Sequence, residues 1–451
     1  MSSTPLSASV FTRRMKEKVL MVVALVALAT TVSAQQVAGG PPEAPRRQIR
    51  FAVNAIPLGK TLPGLREESF TVSPDGKRIA YVVGVGDKAP PTPLPTPDQL
   101  PVAAIPGKAQ VVVDGVAGPS FKGGTTVPVF SPDGKHVAYS AIFGGTTTVM
   151  IDGAESRPCR RSQLCTVIGR PVFSPDGRHL AYIARRKKLM SWFYEWRMAL
   201  DDSLGRDYDW ISEPAFTPDS QQLAYFAWPD EDRKKAVLVK GSQVAPLRPD
   251  ASGYPVFSAD GQRMAFNAKR PDGFVAVLDG QEGPLFDRIG LLCFRADGHL
   301  AYAARRGQKS FTVIEGSEPQ EHPQYSHVGE PVFSRDGQHT AYWAYDGTHE
   351  TVVVDGVAGK AYDEIGTLVF SPDSQHLAVE ARLGPQWRLV VDGVEGPEYT
   401  PPRGFPVDRD SRHLLHRNGW IFERADLLAY VGVRHGDMVR WEVQITEAPP
   451  P

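Results

Sequence analysis

The chain has 451 residues, with 50 Lys and Arg against 51 Asp and Glu and a formal net charge of −1 at pH 7. This balance excludes the usual nucleic-acid-binding domain, because phosphate binding requires a basic surface. With 41% hydrophobic and 22% charged residues, the composition also excludes a fully disordered chain. The 42 Gly and 40 Pro residues exceed average usage and indicate many turns.

The first 34 residues have the three parts of a secretory signal peptide. Basic residues precede an apolar run over 19–29, and a small-residue cleavage site follows at 32–34. The run is shorter than the roughly 20 residues of a membrane span. We therefore expect an exported protein, periplasmic or secreted, with no transmembrane segment after signal removal; a retained anchor is the alternative. The basic residues are Arg13, Arg14, Lys16 and Lys18.

One phrase recurs along the rest of the chain, for example VFSPDGKHVAYSA from Val129 and VFSPDGRHLAYIA from Val172. Eight good copies share an aspartate, and these aspartates are 37–43 residues apart after a first interval of 58. A period near 40 with several short strands is typical of radial β-repeats. A worn ninth copy contains Asp410. The eight shared residues are Asp75, Asp133, Asp176, Asp219, Asp260, Asp297, Asp336 and Asp373.

A second phrase, VVVDGVAG or a variant of it, follows several of the copies. We expect four strands in each unit. Strand A is the Val-Phe pair, strand B the His-x-Ala-Tyr stretch, strand C the VVVDG stretch, and strand D a short strand ending in sequences such as Tyr-Asp-x-Ile. Strands B and C are apolar on both faces, as a blade packed between two neighbours requires. The sequence therefore predicts an all-β fold, a β-propeller of four-stranded blades.

The number of blades depends on the two chain ends. Eight units are complete, so we predict eight blades, with nine as the alternative. Two registers compete within 403–445, and residues 49–58 are suited to an outer strand that closes the ring. The predicted organisation is a signal peptide over 1–34, a flexible leader over 35–48, one propeller over 49–447 with a Pro-rich insertion over 84–109, and a tail over 448–451.

The Ser-Pro-Asp-Gly phrase resembles the repeat of the TolB-type β-propellers, a WD-like family, over roughly residues 50–447. The resemblance implies the propeller fold and protein contacts in the periplasm. It implies no particular activity. The Gly-His and Trp-Asp signatures of the eukaryotic WD repeat are absent from the sequence, and the partner-binding N-terminal domain of the TolB family is not visible in it.

The repeated Asp and His residues indicate structure rather than chemistry. A catalytic group is needed once, whereas each repeat aspartate is suited to cap its own turn. Equivalent positions on neighbouring blades are about 10 Å apart, which is too far for shared metal–nitrogen bonds of about 2 Å. We therefore expect no metal and no cofactor. The repeat histidines are His136, His179, His299, His339, His376 and His413.

The three cysteines fall into two groups. Cys159 and Cys165 lie in the loop that ends the second unit, and an oxidising compartment would allow them to form a disulfide, which the sequence leaves open. Cys293 replaces a strand A valine, so we expect it in the core. The sequence lacks the Gly-x-Ser-x-Gly and His-Glu-x-x-His motifs, so an enzyme is the less favoured interpretation.

Basic and aromatic residues concentrate between strands B and C, on the face opposite the Asp-containing turns. Arg and aromatic residues are enriched at interface hot spots, and here they suit a protein or an acidic, glycan-like envelope component. The alternative is solvated loops and core aromatics, since three of the aromatics alternate as in a strand. The candidates are Arg185, Arg186, Lys187, Lys188, Trp192, Tyr194, Trp196, Arg305, Arg306, Trp387 and Arg388.

A second candidate site is the rim of the channel, where the residues just before strand A have varied charge. They are Arg170, Glu213, Tyr254 and Glu330. The favoured function is an exported, monomeric propeller that acts as a binding scaffold for a protein or an envelope polymer. The alternatives are a small-ligand binder or an enzyme of lyase or hydrolase type at the channel mouth, and a purely structural envelope module.

Overall fold

The structure is a computed structural model that describes residues 48–60, 64–85, 108–143, 146–156, 166–187, 194–229, 236–247, 251–399, 421–434 and 437–448. All elements in these ranges are β-strands. None of the ranges contains a helix that is long and apolar enough to cross a membrane. Outside the described residues lie the predicted signal peptide, most of the Pro-rich insertion, the copy at Asp410, and the pair Cys159 and Cys165.

The described strands form nine antiparallel sheets. Eight sheets follow one another along the chain and coincide with the eight complete repeat units. The ninth combines three strands near the C-terminal end with the first described strand, Gln48–Lys60. The protein is therefore a β-propeller with nine blades in its described part. The predicted count of eight is corrected to the alternative of nine, because the last blade draws its strands from both chain ends.

The strands of blades 1 to 4 follow one another in the order A, B, C, D. Blade 1 has Leu65–Val72, Ile79–Gly84, Ala109–Val113 and Val116–Phe121; blade 2 has Val129–Phe130, Val137–Phe143, Thr146–Ile151 and Ala154–Glu155; blade 3 has Thr166–Phe173, Leu180–Lys187, Tyr194–Leu200 and Ser203–Leu204; blade 4 has Trp210–Ile211 with Ala215–Phe216, Leu223–Trp228, Val237–Lys240 and Gln243–Pro246.

Blades 5 to 9 continue the same order, and in blade 9 strand D comes from the N-terminal side. Blade 5 has Ala251–Phe257, Met264–Arg270, Gly273–Leu278 and Gln281–Glu282; blade 6 has Arg288–Ile289 with Cys293–Phe294, Leu300–Arg306, Lys309–Ile314 and Gln320–Glu321; blade 7 has His327–Val328 with Val332–Phe333, Thr340–Tyr345, Glu350–Val354 and Val357–Tyr362; blade 8 has Glu364–Phe370, Leu377–Leu383, Gln386–Val391 and Val394–Tyr399; blade 9 has Ile421–Arg424, Leu427–Arg434, Asp437–Ala448 and Gln48–Lys60.

Packing between blades explains the Ala-Tyr pair of strand B. Ala80 of blade 1 lies in one buried cluster with Tyr139 of blade 2, and Ala181 of blade 3 lies with Tyr225 of blade 4. The small residue of one blade thus leaves room for the ring of the next. Because successive residues of a strand point to opposite faces, the pair serves both neighbours of its blade.

The inner strand A is longer than the predicted Val-Phe pair, and it is interrupted. In blade 3, residues 166–168 and 172–173 both pair with strand B, with a register shift between them. Blades 4, 6 and 7 have the inner strand in two pieces. The isoleucine of the Tyr-Asp-x-Ile sequence, such as Ile211 or Ile289, therefore begins the inner strand of the next blade, which corrects its assignment to strand D.

The ring closes through the long antiparallel pair of blade 9, which runs from Gln48 opposite Ala448 to Lys60 opposite Asp437. The Arg440 guanidinium adds a 2.6 Å hydrogen bond to the carbonyl oxygen of Gly76 in blade 1. In the Pro-rich insertion, Gly84 and Ala109 pair with each other, so strands B and C of blade 1 are joined at its base.

Two of the turns between strands A and B have serine where six others have glycine. Ser220 and Ser374 have φ values of 62° and 65°, a left-handed conformation that favours glycine. Each hydroxyl accepts a hydrogen bond from the backbone N–H of the turn aspartate in the preceding blade, Asp176 at 2.9 Å and Asp336 at 3.1 Å. These serines therefore tie blade 3 to blade 4 and blade 7 to blade 8.

Ser374→Ala should lower stability, because alanine keeps the strained backbone and removes the acceptor of the Asp336 N–H. The expected cost is about 1–2 kcal/mol in the free energy of unfolding. Denaturant unfolding of the variant measures it, with Ser203→Ala as the control at an exposed serine, where a change within about 0.5 kcal/mol is expected. Equal effects of the two substitutions would show that the contact between blades contributes nothing.

Candidate functional site

The repeat aspartates lie in the turns between strands A and B. In all eight complete units the carboxylate accepts the backbone N–H two residues further on, as Asp133 does from Lys135 at 3.1 Å. The hydrogen bond from the Ser131 hydroxyl, and then that from the Lys135 N–H, hold the pKa of Asp133 below its usual value. The carboxylates are therefore occupied by hydrogen bonds within their own turns.

Four repeat histidines have an aspartate of the turn between strands C and D as partner. The Nδ1 atoms lie 2.7–2.8 Å from carboxylate oxygens of the same blade. His299 instead lies 3.1 Å from Asp297, and His413 is outside the described residues. Within the described ranges, no three His, Cys, Asp or Glu side chains are grouped to hold a metal ion. The four pairs are His136–Asp152, His179–Asp201, His339–Asp355 and His376–Asp392.

Two histidines titrate in opposite directions. The hydrogen bond to Asp392 raises the pKa of His376. His322 lies outside the repeat positions and is buried, with Nε2 3.0 Å from the Thr312 hydroxyl, and burial lowers its pKa. The sequence analysis did not single out His322. Its position outside the repeat is the one feature of the sequence that distinguishes it.

Cys293 is half-buried in strand A of blade 6, where the sequence predicts a core position. Its thiol donates to the carbonyl oxygen of Ala301 at 3.3 Å. Burial, with a smaller contribution from Glu330, raises the pKa of the thiol to about 12. A thiol in this setting stays protonated and is unreactive.

The predicted basic and aromatic residues of blade 3 meet on one face of the sheet. The register pairs Arg185 with Trp196 and Lys187 with Tyr194 across strands B and C. The guanidinium carbon of Arg185 lies 4.3 Å from the ring centre of Tyr194 and 5.7 Å from that of Trp196. We call these four residues the Arg185 cluster. It lies at the end of the blade that carries the connections between strands B and C, named the loop face here.

The opposite face of the same strands is electrostatically neutralised. Arg186 pairs with Glu195 at 2.6 Å, and Arg197 pairs with Asp207. The Arg185 guanidinium, in contrast, has only the two aromatic rings as contacts among the described residues, and its Nε is buried without a hydrogen-bond partner there. Stacking thus orients this guanidinium, and no carboxylate of the described residues neutralises its charge.

The remaining candidates are dispersed around the ring or used internally. Arg305 donates to the Gly307 carbonyl, Arg306 donates to the Leu285 carbonyl, and Arg388 pairs with Glu395 at 2.6 Å. Trp387 packs against the cluster between blades 8 and 9. Blades 3, 6 and 8 are not neighbours, so these residues form no common surface with the Arg185 cluster. Lys188 and Trp192 lie outside the described residues.

Two tryptophans that sequence reasoning missed extend the aromatic group toward blade 4. The ring centres of Trp196 and Trp210 are 6.4 Å apart, and those of Trp210 and Trp228 are 4.8 Å apart. Trp228 has the same strand B position in blade 4 as Arg185 has in blade 3, and this equivalence could have identified it from the sequence.

Blades 3 and 4 also have long connections between strands B and C, whereas blades 5, 6 and 8 have two-residue turns.

The predicted rim residues lie in the interruptions of the inner strands, in blades 3, 4, 5 and 7. They precede the Val-Phe pair or its equivalent, which is the second part of a longer inner strand. Inner strands line the channel of a propeller, and a place at the channel remains a prediction for these residues. Glu213 is accessible to water and yet surrounded by protein; burial raises its pKa, and Arg170 partly offsets this. Glu330 accepts the Leu291 N–H of the preceding blade at 3.4 Å. Tyr254 is half-buried.

A cavity of about 400 Å³ lies where blades 9, 1 and 2 meet. Its described lining includes Pro74, Phe130 and Tyr430 and contains no charged side chain. It lies at the ring closure and away from both candidate sites, so we assign no chemistry to it.

Comparison with known proteins adds little on function. No protein-family profile and no curated protein matches the chain. Similar solved structures include a eukaryotic initiation factor, at 14% identity and a TM-score of 0.43 over 79% of this chain and 88% of that one. TolB from Acinetobacter baumannii has 17% identity and a TM-score of 0.28 over 58% of this chain and 75% of that one.

Oligogalacturonate lyase from Vibrio parahaemolyticus is also similar, at 11% identity and a TM-score of 0.35 over 70% of this chain and 96% of that one. At such low identities and TM-scores the matches carry no argument about activity. The nine-sheet topology of the chain itself defines the class of protein, a β-propeller.

His376 and His322 should affect the stability of the protein in opposite ways as pH changes. The folded-state pKa of His376 is raised, so its stabilisation is present below the unfolded pKa of about 6.5 and is lost as pH rises through the folded value. His322 has a lowered pKa, so its neutral, buried form loses stability as pH falls below that same unfolded value. His376→Asn should therefore destabilise more at acidic than at alkaline pH, and His322→Asn less at acidic pH. Thermal midpoints across pH measure both, and parallel profiles would contradict the assignment.

Proposed function

We propose that the protein is an exported β-propeller that acts as a binding scaffold, and that the Arg185 cluster holds an acidic group of its partner. The partner is a protein or an envelope polymer. One observation carries the proposal: the Arg185 guanidinium stacks on Tyr194 and Trp196 and has no carboxylate partner among the described residues.

The Arg185 side chain is already held in one orientation before a partner binds. A guanidinium stacked on aromatic rings keeps its charge and its edge N–H donors, which match a carboxylate in a bidentate geometry. Because the rings already restrict the side chain, less conformational entropy is lost on binding. Tyr194 is 39% exposed, so it offers apolar contact area beside the charge.

Local charge distinguishes this surface from the rest of the protein. The whole chain is nearly neutral, with a net charge of −1, so the charge of Arg185 orients an acidic ligand toward blade 3. The signal-peptide pattern over 1–34 supports a periplasmic or secreted location, where envelope polymers occur. The Ser-Pro-Asp-Gly phrase supports a place among the TolB-type propellers.

Arg185→Ala should weaken binding of an acidic polysaccharide at least about tenfold, because hydrogen bonds to a charged group contribute about 1.5–3 kcal/mol. The matched control is Arg305→Ala, which removes the arginine at the same strand position in blade 6, where it faces Ser310 instead of Trp196. Calorimetric titration with a polyuronate and with a neutral glucan measures both variants and the parent protein.

The expected pattern is binding of the polyuronate alone, weakened by Arg185→Ala and unchanged by Arg305→Ala. Equal losses for the two arginines would contradict a site on blade 3. Failure of the parent protein to bind the polyuronate would reject the polymer, and a protein partner would then be tested with the same two variants.

A second candidate function is a small-ligand site in the channel wall. It is favoured by the placement of Arg170 and Glu213 in the interruptions of two neighbouring inner strands. Burial raises the pKa of Glu213, and the charge of Arg170 partly offsets this. Carboxylates held at a cost to stability are often functional, because binding sites retain groups that a purely structural wall would not. This candidate shares no residue with the Arg185 cluster, so the two are tested independently.

Glu213→Gln should raise the thermal midpoint at neutral pH. The folded-state pKa of Glu213 is raised, so the stability associated with its neutral form is lost as pH rises through that value. Glutamine stays neutral and escapes this loss, and the gain should vanish at acidic pH. Glu318→Gln, at an exposed position, is the control. A midpoint that falls for Glu213→Gln at neutral pH would contradict a carboxylate held at a cost.

A further inference from the structure

The outermost strand of blade 9, Gln48–Lys60, differs from every other outer strand in the described ranges. It has 13 residues, whereas strand D of the other blades has two to six. It contains no charged residue from Phe51 to Gly59. Length and lack of charge are the two properties that outer strands of soluble folds normally avoid, because an open edge can pair with another chain.

One edge of this strand is open in the described part of the protein. The strand is last in its sheet, with Asp437–Ala448 bonded along its other edge. Val53 is 49% exposed and Leu58 is 36% exposed. Ile49 and Phe51, on the same face as Val53, pack toward blade 8 and anchor the strand. Its pairing is regular from Gln48 to Ile56, before the irregularity at Pro57 and Gly59. We call this edge the closing edge.

We propose that the closing edge pairs antiparallel with the closing edge of a second copy of this chain. The two closing blades then form one continuous eight-stranded sheet across a two-fold axis. The occupant has to be a long, extended, uncharged strand with an open edge of its own. The chain displays such a strand, and a two-fold axis makes any surface complementary to itself when identical strands run antiparallel.

The charges at the strand ends favour one register. An axis through Asn54 sets Val53 opposite Ala55 and Ile56 opposite Ala52, large against small, and it sets Arg50 opposite Leu58. An axis through Arg50 would instead set the Arg50 residues of the two copies opposite each other, and like charges directly opposite are destabilising. The Asn54 register therefore pairs the uncharged run with itself and separates the cations.

This inference is independent of the binding function, because the closing edge lies on blade 9 and the Arg185 cluster on blade 3. It differs from the monomer expected from the sequence. The strand pattern and the charge of the sequence do not show which strand lies at the open edge of a sheet.

The test is the oligomeric state of the purified protein and of two lysine variants, measured by size-exclusion chromatography with light scattering over a concentration series. Val53→Lys places a charge on the closing edge, a device that blocks edge pairing. Val116→Lys is the matched control, because Val116 is 72% exposed on the outer strand of blade 1. We expect a dimer for the parent protein and for Val116→Lys, and a monomer for Val53→Lys.

Hydrogen exchange provides a second readout that does not depend on a variant. Within residues 51–56, the amides that are not bonded to Asp437–Ala448 should exchange more slowly at high than at low protein concentration. A monomer at every concentration, a dimer that persists in Val53→Lys, or exchange of these amides that is independent of concentration would each overturn the proposal. Pairing of the edge with a foreign extended peptide by a monomeric parent protein would do the same.

Discussion

Ring closure is the constraint on which the rest of this structure depends. Each blade buries both of its faces against neighbours, so an open row of blades would expose one apolar face at each end. The pairing of Gln48–Lys60 with Asp437–Ala448 joins the two ends by backbone hydrogen bonds. The buried cluster that combines Tyr81 with Val431 and Met438 then completes the contact between blades 1 and 9.

Closure also explains why the same Ala-Tyr pair of strand B recurs along most of the ring. Once the first and last blades meet, every strand B has a neighbour on both sides, and an alanine facing a tyrosine fills the space at each joint. Where the pattern breaks, the joint changes as well. Val379 takes the place of the tyrosine in blade 8 and still packs with Ala341 of blade 7.

The sequence predicts the parts of this fold that local physics determines. Turn residues and two-sided apolar strands locate strands B and C, and the turn aspartates lie in their turns. It fails for the first part of strand A, because the strand is interrupted at residues such as Arg170 and Glu213 and no apolar period marks it there. It also undercounts the blades, because two registers compete within 403–445. The outer strand expected over 49–58 does close the ring, with Phe51 opposite Ile445.

The candidate site likewise has features that the sequence predicts and features that it does not. Strand B positions predict that Arg185 and Arg305 occupy equivalent places, and they do. What separates them is the residue across the sheet, Trp196 in one case and Ser310 in the other. Partners from further along the chain, such as Glu395 for Arg388, neutralise other candidates and cannot be located from spacing alone. In a repeated fold the backbone supplies equivalent positions, so chemical differences between blades arise where the cross-strand neighbours differ. The proposed binding surface around Arg185 is one such place.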